Sequence, residues 1–102
     1  MNPAGESFTL SWMEQCRDSL VELTERATAS GTLGALADFL VEIEAELRVR
    51  PREWGDPVWN WHGMRLVEYA RVNFTDRLMV SYLVHETAPV VFVRRLGAVD
   101  EV

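Results

Sequence analysis

Side chains of the kind that handle phosphate esters recur at close spacing in the second half of the chain. Arg65, Tyr69 and Arg71 alternate along one segment, and Ser81 and His85 follow on the next. Residues two apart on a strand share a face, so this pattern is able to gather two guanidinium groups, a phenol and an imidazole in one patch. Cleaving RNA through its own 2′-hydroxyl needs a base, an acid for the leaving group and positive charge for the phosphorane. Arg65, Tyr69, Arg71 and His85 are the catalytic candidates on that ground. The same residues have plainer uses. Alternating arginines keep an exposed strand from pairing with another chain, and a histidine on a strand often serves structure alone.

A second set on these segments is suited to binding. Val67, Tyr69, Met79, Leu83, Val91 and Val93 are expected to line an uncovered sheet face, with Arg65, Arg71 and Arg95 at its rim. An apolar centre with an arginine rim fits a protein partner that anchors through buried side chains and is steered by charge. Trp54, Trp59 and Trp61 fall within eight residues of one another. They can cover the end of a small core, form part of an interface or stack on single-stranded bases. His62 lies beside them, where packing is its expected role. No metal site is expected, because His62 and His85 have no third ligand at a recognisable spacing, and no cofactor is implied. Cys16, the single cysteine, falls on an apolar helix stripe and reads as a buried, inert thiol.

Charge narrows the partners. The 102 residues carry a net charge of −6, and all ten basic residues are arginine. Residues 1–46 hold two arginines against nine acids, whereas residues 47–102 hold eight against seven. This balance disfavours RNA or the ribosome as a partner held by bulk electrostatics and puts any anion chemistry in the second half. No apolar run is long enough to span a bilayer and no secretory leader is recognisable, so no membrane is implied and a cytoplasmic protein is expected.

The elements that must position these residues follow from periodicity. Phe8 to Trp12 alternates and predicts a first strand. Ser11 and Glu14 have the spacing of a capping box, so a helix is expected to start there. Met13, Cys16, Leu20, Leu23 and Ala27 make its apolar stripe, and Ser30-Gly31 its end. A second helix runs from about Leu33 on a stripe of Leu33, Leu36, Leu40, Ile43 and Leu47, until Pro51 stops it. Arg50 to Pro57 reads as a loop. Met64–Phe74, Arg77–His85 and Val90–Leu96 then read as three strands joined by short breaks, hence an antiparallel meander. The expected fold is α+β in the order β-α-α-β-β-β: an N-terminal strand and a two-helix hairpin packed on an antiparallel β-meander, with Leu20, Leu23, Leu36, Leu40, Ile43, Val80 and Tyr82 in the core. One domain is expected over residues 1–102, with residues 1–7 and 97–102 flexible.

This order, with the segments FTLSWMEQCRDSLVEL, PREWGDPVWNWHG, ARVNFTDRLMVSYLV and VVFVRRL, resembles the RelE/ParE toxin superfamily of bacterial type II toxin–antitoxin systems. The resemblance runs from Phe8 to about Leu96. It implies a toxin-like protein whose partner is an antitoxin wrapped over the helices and sheet. RelE-like members cleave ribosome-bound mRNA with a cluster of basic side chains on the open sheet face, whereas ParE-like members lack that cluster and poison gyrase. The segment Leu78-Met79-Val80-Ser81-Tyr82 has methionine where the resemblance implies arginine, and no arginine- or histidine-tyrosine pair follows it. The expectation is therefore a toxin-like protein acting through protein binding, with little RNA cleavage. The rival expectations are a non-enzymatic interaction module or homodimer, and an mRNA interferase with an unorthodox site.

Overall fold

The structure, a computed structural model, describes residues 7–99. Strand β1 (Thr9–Trp12) leads into helix α1 (Glu14–Ser30), α2 (Leu33–Val49) and a short α3 (Pro51–Trp54). Strand β2 (Asp56–Trp61), a single 3-10 turn (His62–Met64), β3 (Leu66–Asn73), β4 (Leu78–His85) and β5 (Val90–Ala98) complete the chain. The five strands lie in the order β1-β5-β4-β3-β2, with β1 parallel to β5 and every other pair antiparallel. The expected α+β architecture, a strand and a helical hairpin on an antiparallel meander, is the observed one.

Three local expectations differ. Ser11 does not cap α1: it pairs with Phe92 inside β1, and the helix begins after Met13, which makes no side-chain cap. The amides of Cys16 and Arg17 instead bond the Met13 carbonyl. The segment read as a loop contains α3 and the start of β2, a fifth strand at the sheet edge. Pro57 is tolerated there because an edge strand has one side that need not donate to a neighbour, and a bulge lies between Pro57 and Trp59. The last strand runs past Leu96, with Gly97 opposite Met79 and Ala98 opposite Leu78. The remaining residues expected to be flexible, apart from Ser7 and Val99, lie outside the described residues.

Both helices bury most of the stripes their periodicity implies, but Met13 and Leu33, where the two helices start, are 36% and 45% exposed. Cys16, Leu23 and Ala27 of α1 and Leu36, Phe39, Ile43 and Leu47 of α2 pack on Val80, Tyr82 and Val84 of β4 and Val91, Val93 and Leu96 of β5. Of the seven residues expected in the core, Leu20 and Leu40 are only partly buried. Gly31 ends α1 in the left-handed region at φ 79°, a conformation glycine adopts at little cost.

An aromatic file ties the layers together. Phe39, Trp54 and Tyr82 follow one another at ring separations of 6.3 and 6.1 Å, and Tyr82 stacks on Tyr69 at 5.6 Å. Its polar ends are satisfied: Trp54 donates to Glu42, and the Tyr82 hydroxyl donates to the Pro51 carbonyl. No helix among the described residues is long and apolar enough to cross a membrane.

Candidate functional site

The pairing of β3 with β4 decides which side chains share a face. Val67, Tyr69 and Arg71 stand opposite Val84, Tyr82 and Val80, whose side chains lie under the helices. Leu66, Glu68, Ala70 and Val72 stand opposite His85, Leu83, Ser81 and Met79, on the side away from the helices. The face of β4 was legible, but β3 joins it with the opposite set of residues from the one expected.

The expected catalytic cluster is therefore not assembled. Tyr69 is buried in the core against Tyr82. Arg71 lies on the helix side, where its guanidinium covers the Trp54 ring at 5.2 Å and donates to the Trp54 carbonyl at 3.0 Å. Arg65 precedes β3 altogether, exposed in the left-handed region at φ 59° after the 3-10 turn. His85 is on the open face, but its Nδ1 accepts from the amides of Thr87 and Ala88 at 3.1 and 2.9 Å and so organises the turn into β5. An imidazole nitrogen accepting two amides is not available to take a proton from a substrate.

The expected binding surface is split by the same sheet. Val91 and Val93 are fully buried under the helices, and Val67 packs against that core. Met79, Leu83 and Arg95 remain on the open face, Leu83 nearly buried and Arg95 exposed opposite Ser81. The reason is packing volume. β5 lies between β4 and β1 with α1 across it, so its inward valines are the floor of the core.

What the open face does hold is a cluster from four strands. Trp59 and Trp61 of β2 stand opposite Glu68 and Leu66 of β3. Their rings meet edge to face at 6.3 Å. The Trp61 indole donates to one oxygen of Glu68 at 3.2 Å, and Arg94 donates to the other at 3.0 Å. The Arg94 guanidinium lies 5.8 Å from the Trp61 ring centre. Leu66, Leu83 and Glu68 are buried here, separate from the main core, with Phe92 opposite Leu83. A bulge in β5 opposite Ser81 and Tyr82 accommodates Arg94, whose side chain reaches this cluster. The Ser81 hydroxyl oxygen is buried with no hydrogen-bond partner among the described residues.

The arrangement sets exposed aromatic surface beside an internally paired ion pair. Both carboxylate oxygens of Glu68 are occupied, and the nearest cation is neutralised by it, so a phosphate gains little here. Trp59, 61% exposed, offers a broad apolar plane beside the pair. Among the described residues, no group of three His, Cys, Asp or Glu side chains is placed to hold a metal ion. Trp54 separates from the other tryptophans: it belongs to the core, and only Trp59 and Trp61 face outward.

Glu68 and Arg94 escaped the reading of the sequence. The one available signal was an acid among otherwise apolar alternate positions, Leu66, Ala70 and Val72. Its partners stand on β2 and β5, so no local spacing encodes the cluster.

No family model matches the chain, and no curated protein matches it in sequence. Among solved structures, it is similar to the isolated RelE toxin of E. coli, with a TM-score of 0.56 and 21% identity over 94% of this chain and 88% of that one. It is also similar to the RelBE2 toxin–antitoxin complex of Mycobacterium tuberculosis, with a TM-score of 0.59 and 18% identity over 92% of this chain and 94% of that one. The chain has the RelE-like toxin fold.

Proposed function

We propose that this protein is the toxin-like member of a toxin–antitoxin pair, working in the cytoplasm and acting mainly by binding other proteins. The observation that carries the reading is the shared fold, which extends over nearly the full length of a chain solved in a toxin–antitoxin complex. An antitoxin segment with apolar anchors finds a ready seat on the open face, where Trp59 and Phe92 flank a neutral Arg94–Glu68 pair. Ribonuclease activity is disfavoured by that neutral pair and by the dispersal of Arg65, Tyr69, Arg71 and His85.

The test has two arms. Expression of the chain alone is expected to arrest growth, with relief when the neighbouring small reading frame is expressed with it and its product co-purifies. The absence of both arrest and association overturns the toxin reading. The purified protein is expected to leave ribosome-bound mRNA intact; robust cleavage that disappears in Arg94→Ala shifts the reading to an mRNA interferase.

A further inference from the structure

Where the turn between α1 and α2 meets the turn between β3 and β4, the molecule leaves a cleft of about 440 Å³. Its floor is the buried apolar end of the core, Leu23, Ala27, Leu36 and Leu78. Its rim is polar, with Arg26, Ser30 and Thr32 on the helical side and Thr75, Asp76 and Arg77 on the hairpin side. Clefts of ~300–1,000 Å³ that combine an apolar wall with a few polar groups are the size and character of small-molecule sites. This one lies at the end of the helical layer, away from the tryptophans of the open sheet face.

Arg26 selects the charge of the occupant. Arg48, Arg50 and Arg94 are engaged in ion pairs, Arg71 lies on Trp54, and Arg77 donates to the Val99 carbonyl at 3.1 Å. Arg26 takes part in no ion pair among the described residues. A guanidinium with uncommitted donors suits a carboxylate, which accepts two parallel N–H bonds from it. A doubly charged phosphate is a poorer fit. Asp76 stands on the same rim, and its carboxylate bonds the neutral Asn73 side-chain amide at 3.2 Å, so a second negative charge on the ligand is repelled. The amide end of α2 adds potential of the same sign as Arg26: Thr32 makes no side-chain cap, and its hydroxyl is bonded to that of Ser30 at 3.0 Å. We infer that this cleft binds a small monocarboxylate with an apolar body, the body resting on Leu23, Leu36 and Leu78 and the carboxylate on Arg26. The inference stands apart from the toxin reading.

The test titrates the full chain with 3-phenylpropionate and follows the backbone amides by NMR. Saturable shifts are expected around the two turns that frame the cleft. The uncharged 3-phenylpropionamide is expected to bind about five-fold more weakly, and Arg26→Ala to weaken the acid by the same factor, because the rim is open to water. Ala35→Phe, which fills the cleft from its half-buried rim, is expected to abolish binding. Arg17→Ala removes an exposed arginine elsewhere on α1 and is expected to leave binding unchanged, with circular dichroism checking the fold of every variant. No saturable shift, or shifts centred on the open sheet face, overturns the inference. So does equal binding of acid and amide, undiminished binding by Arg26→Ala or Ala35→Phe, or an equal loss in Arg17→Ala. Inorganic phosphate binding as tightly as the acid also overturns it, since the apolar floor would then select nothing. None of these outcomes bears on growth arrest, so the two readings fail independently.

Discussion

The hydroxyl of Tyr82 donates a 2.6 Å hydrogen bond to the carbonyl of Pro51, joining the middle strand of the sheet to the point where α2 gives way to α3. Tyr82 is fully buried, and Gly55 lies against its oxygen. A Cβ at Gly55 would stand 2.5 Å from that oxygen and 3.0 Å from the Ala70 carbonyl. The turn from α3 into β2 is thus built around a phenol.

Gly55→Ala is expected to destabilise the protein by about 2 kcal/mol, because the new methyl must displace a buried side chain or a strand backbone. Urea unfolding measures it. Adding Tyr82→Phe should recover part of the loss, since the oxygen that clashes is gone. No recovery would place the conflict with Ala70 instead.

Alkali should unfold the protein through two buried acids. Burial raises the pKa of the Tyr82 phenol above its ordinary value and pushes the Cys16 thiol up to about 11. Each group is held neutral in the folded state and ionises more readily in the unfolded chain. Their contribution is complete below the unfolded values, near pH 9 for the thiol and about 10 for the phenol, and is lost as pH rises beyond them. Ultraviolet titration is expected to show Tyr82 ionising only as the fold is lost, and Tyr82→Phe should flatten the decline.

Cys16 should be inert in the folded protein. At pH 8 its thiol stays protonated and covered, so a disulfide reagent is expected to label it only after denaturation. Cys16→Ser puts a hydroxyl in an apolar site and should cost about 1–3 kcal/mol in urea unfolding. Rapid labelling of the native protein would show that this part of the helix layer opens.

Arg94→Ala is expected to destabilise the protein by about 1–3 kcal/mol by leaving the buried Glu68 carboxylate with the Trp61 indole alone. Glu68→Gln does the converse and releases the guanidinium. It should raise affinity for single-stranded RNA about three-fold at low salt and steepen the salt dependence. Equal RNA affinity in the two proteins would mean that neutralisation by Glu68 is not what keeps phosphate off this face.

Much of this protein was legible residue by residue. The apolar stripes of α1 and α2 beyond their first members Met13 and Leu33, the stop at Gly31 and the three long strands appear where periodicity puts them, because helix and strand faces depend on neighbours within a few residues. The inward face of β4 was equally plain from Leu78, Val80, Tyr82 and Val84. The edge strand β2 was not, because its proline and its exposed tryptophans resemble a loop until β3 is there to pair with it.

What the tertiary structure alone decided is the content of the open face. Along β3 the two alternating sets, Val67-Tyr69-Arg71 and Leu66-Glu68-Ala70, each contain apolar residues, so neither identifies itself as buried. Pairing Tyr69 with Tyr82 sent the first set inward and brought Glu68 out to meet Trp61 and Arg94. A strand repeats every two residues, and a shift of one exchanges its faces completely. The amino-acid sequence determined which segments become strands and helices; the register between strands, a long-range choice made by packing Tyr69 into the aromatic file, determined which chemistry faces a partner.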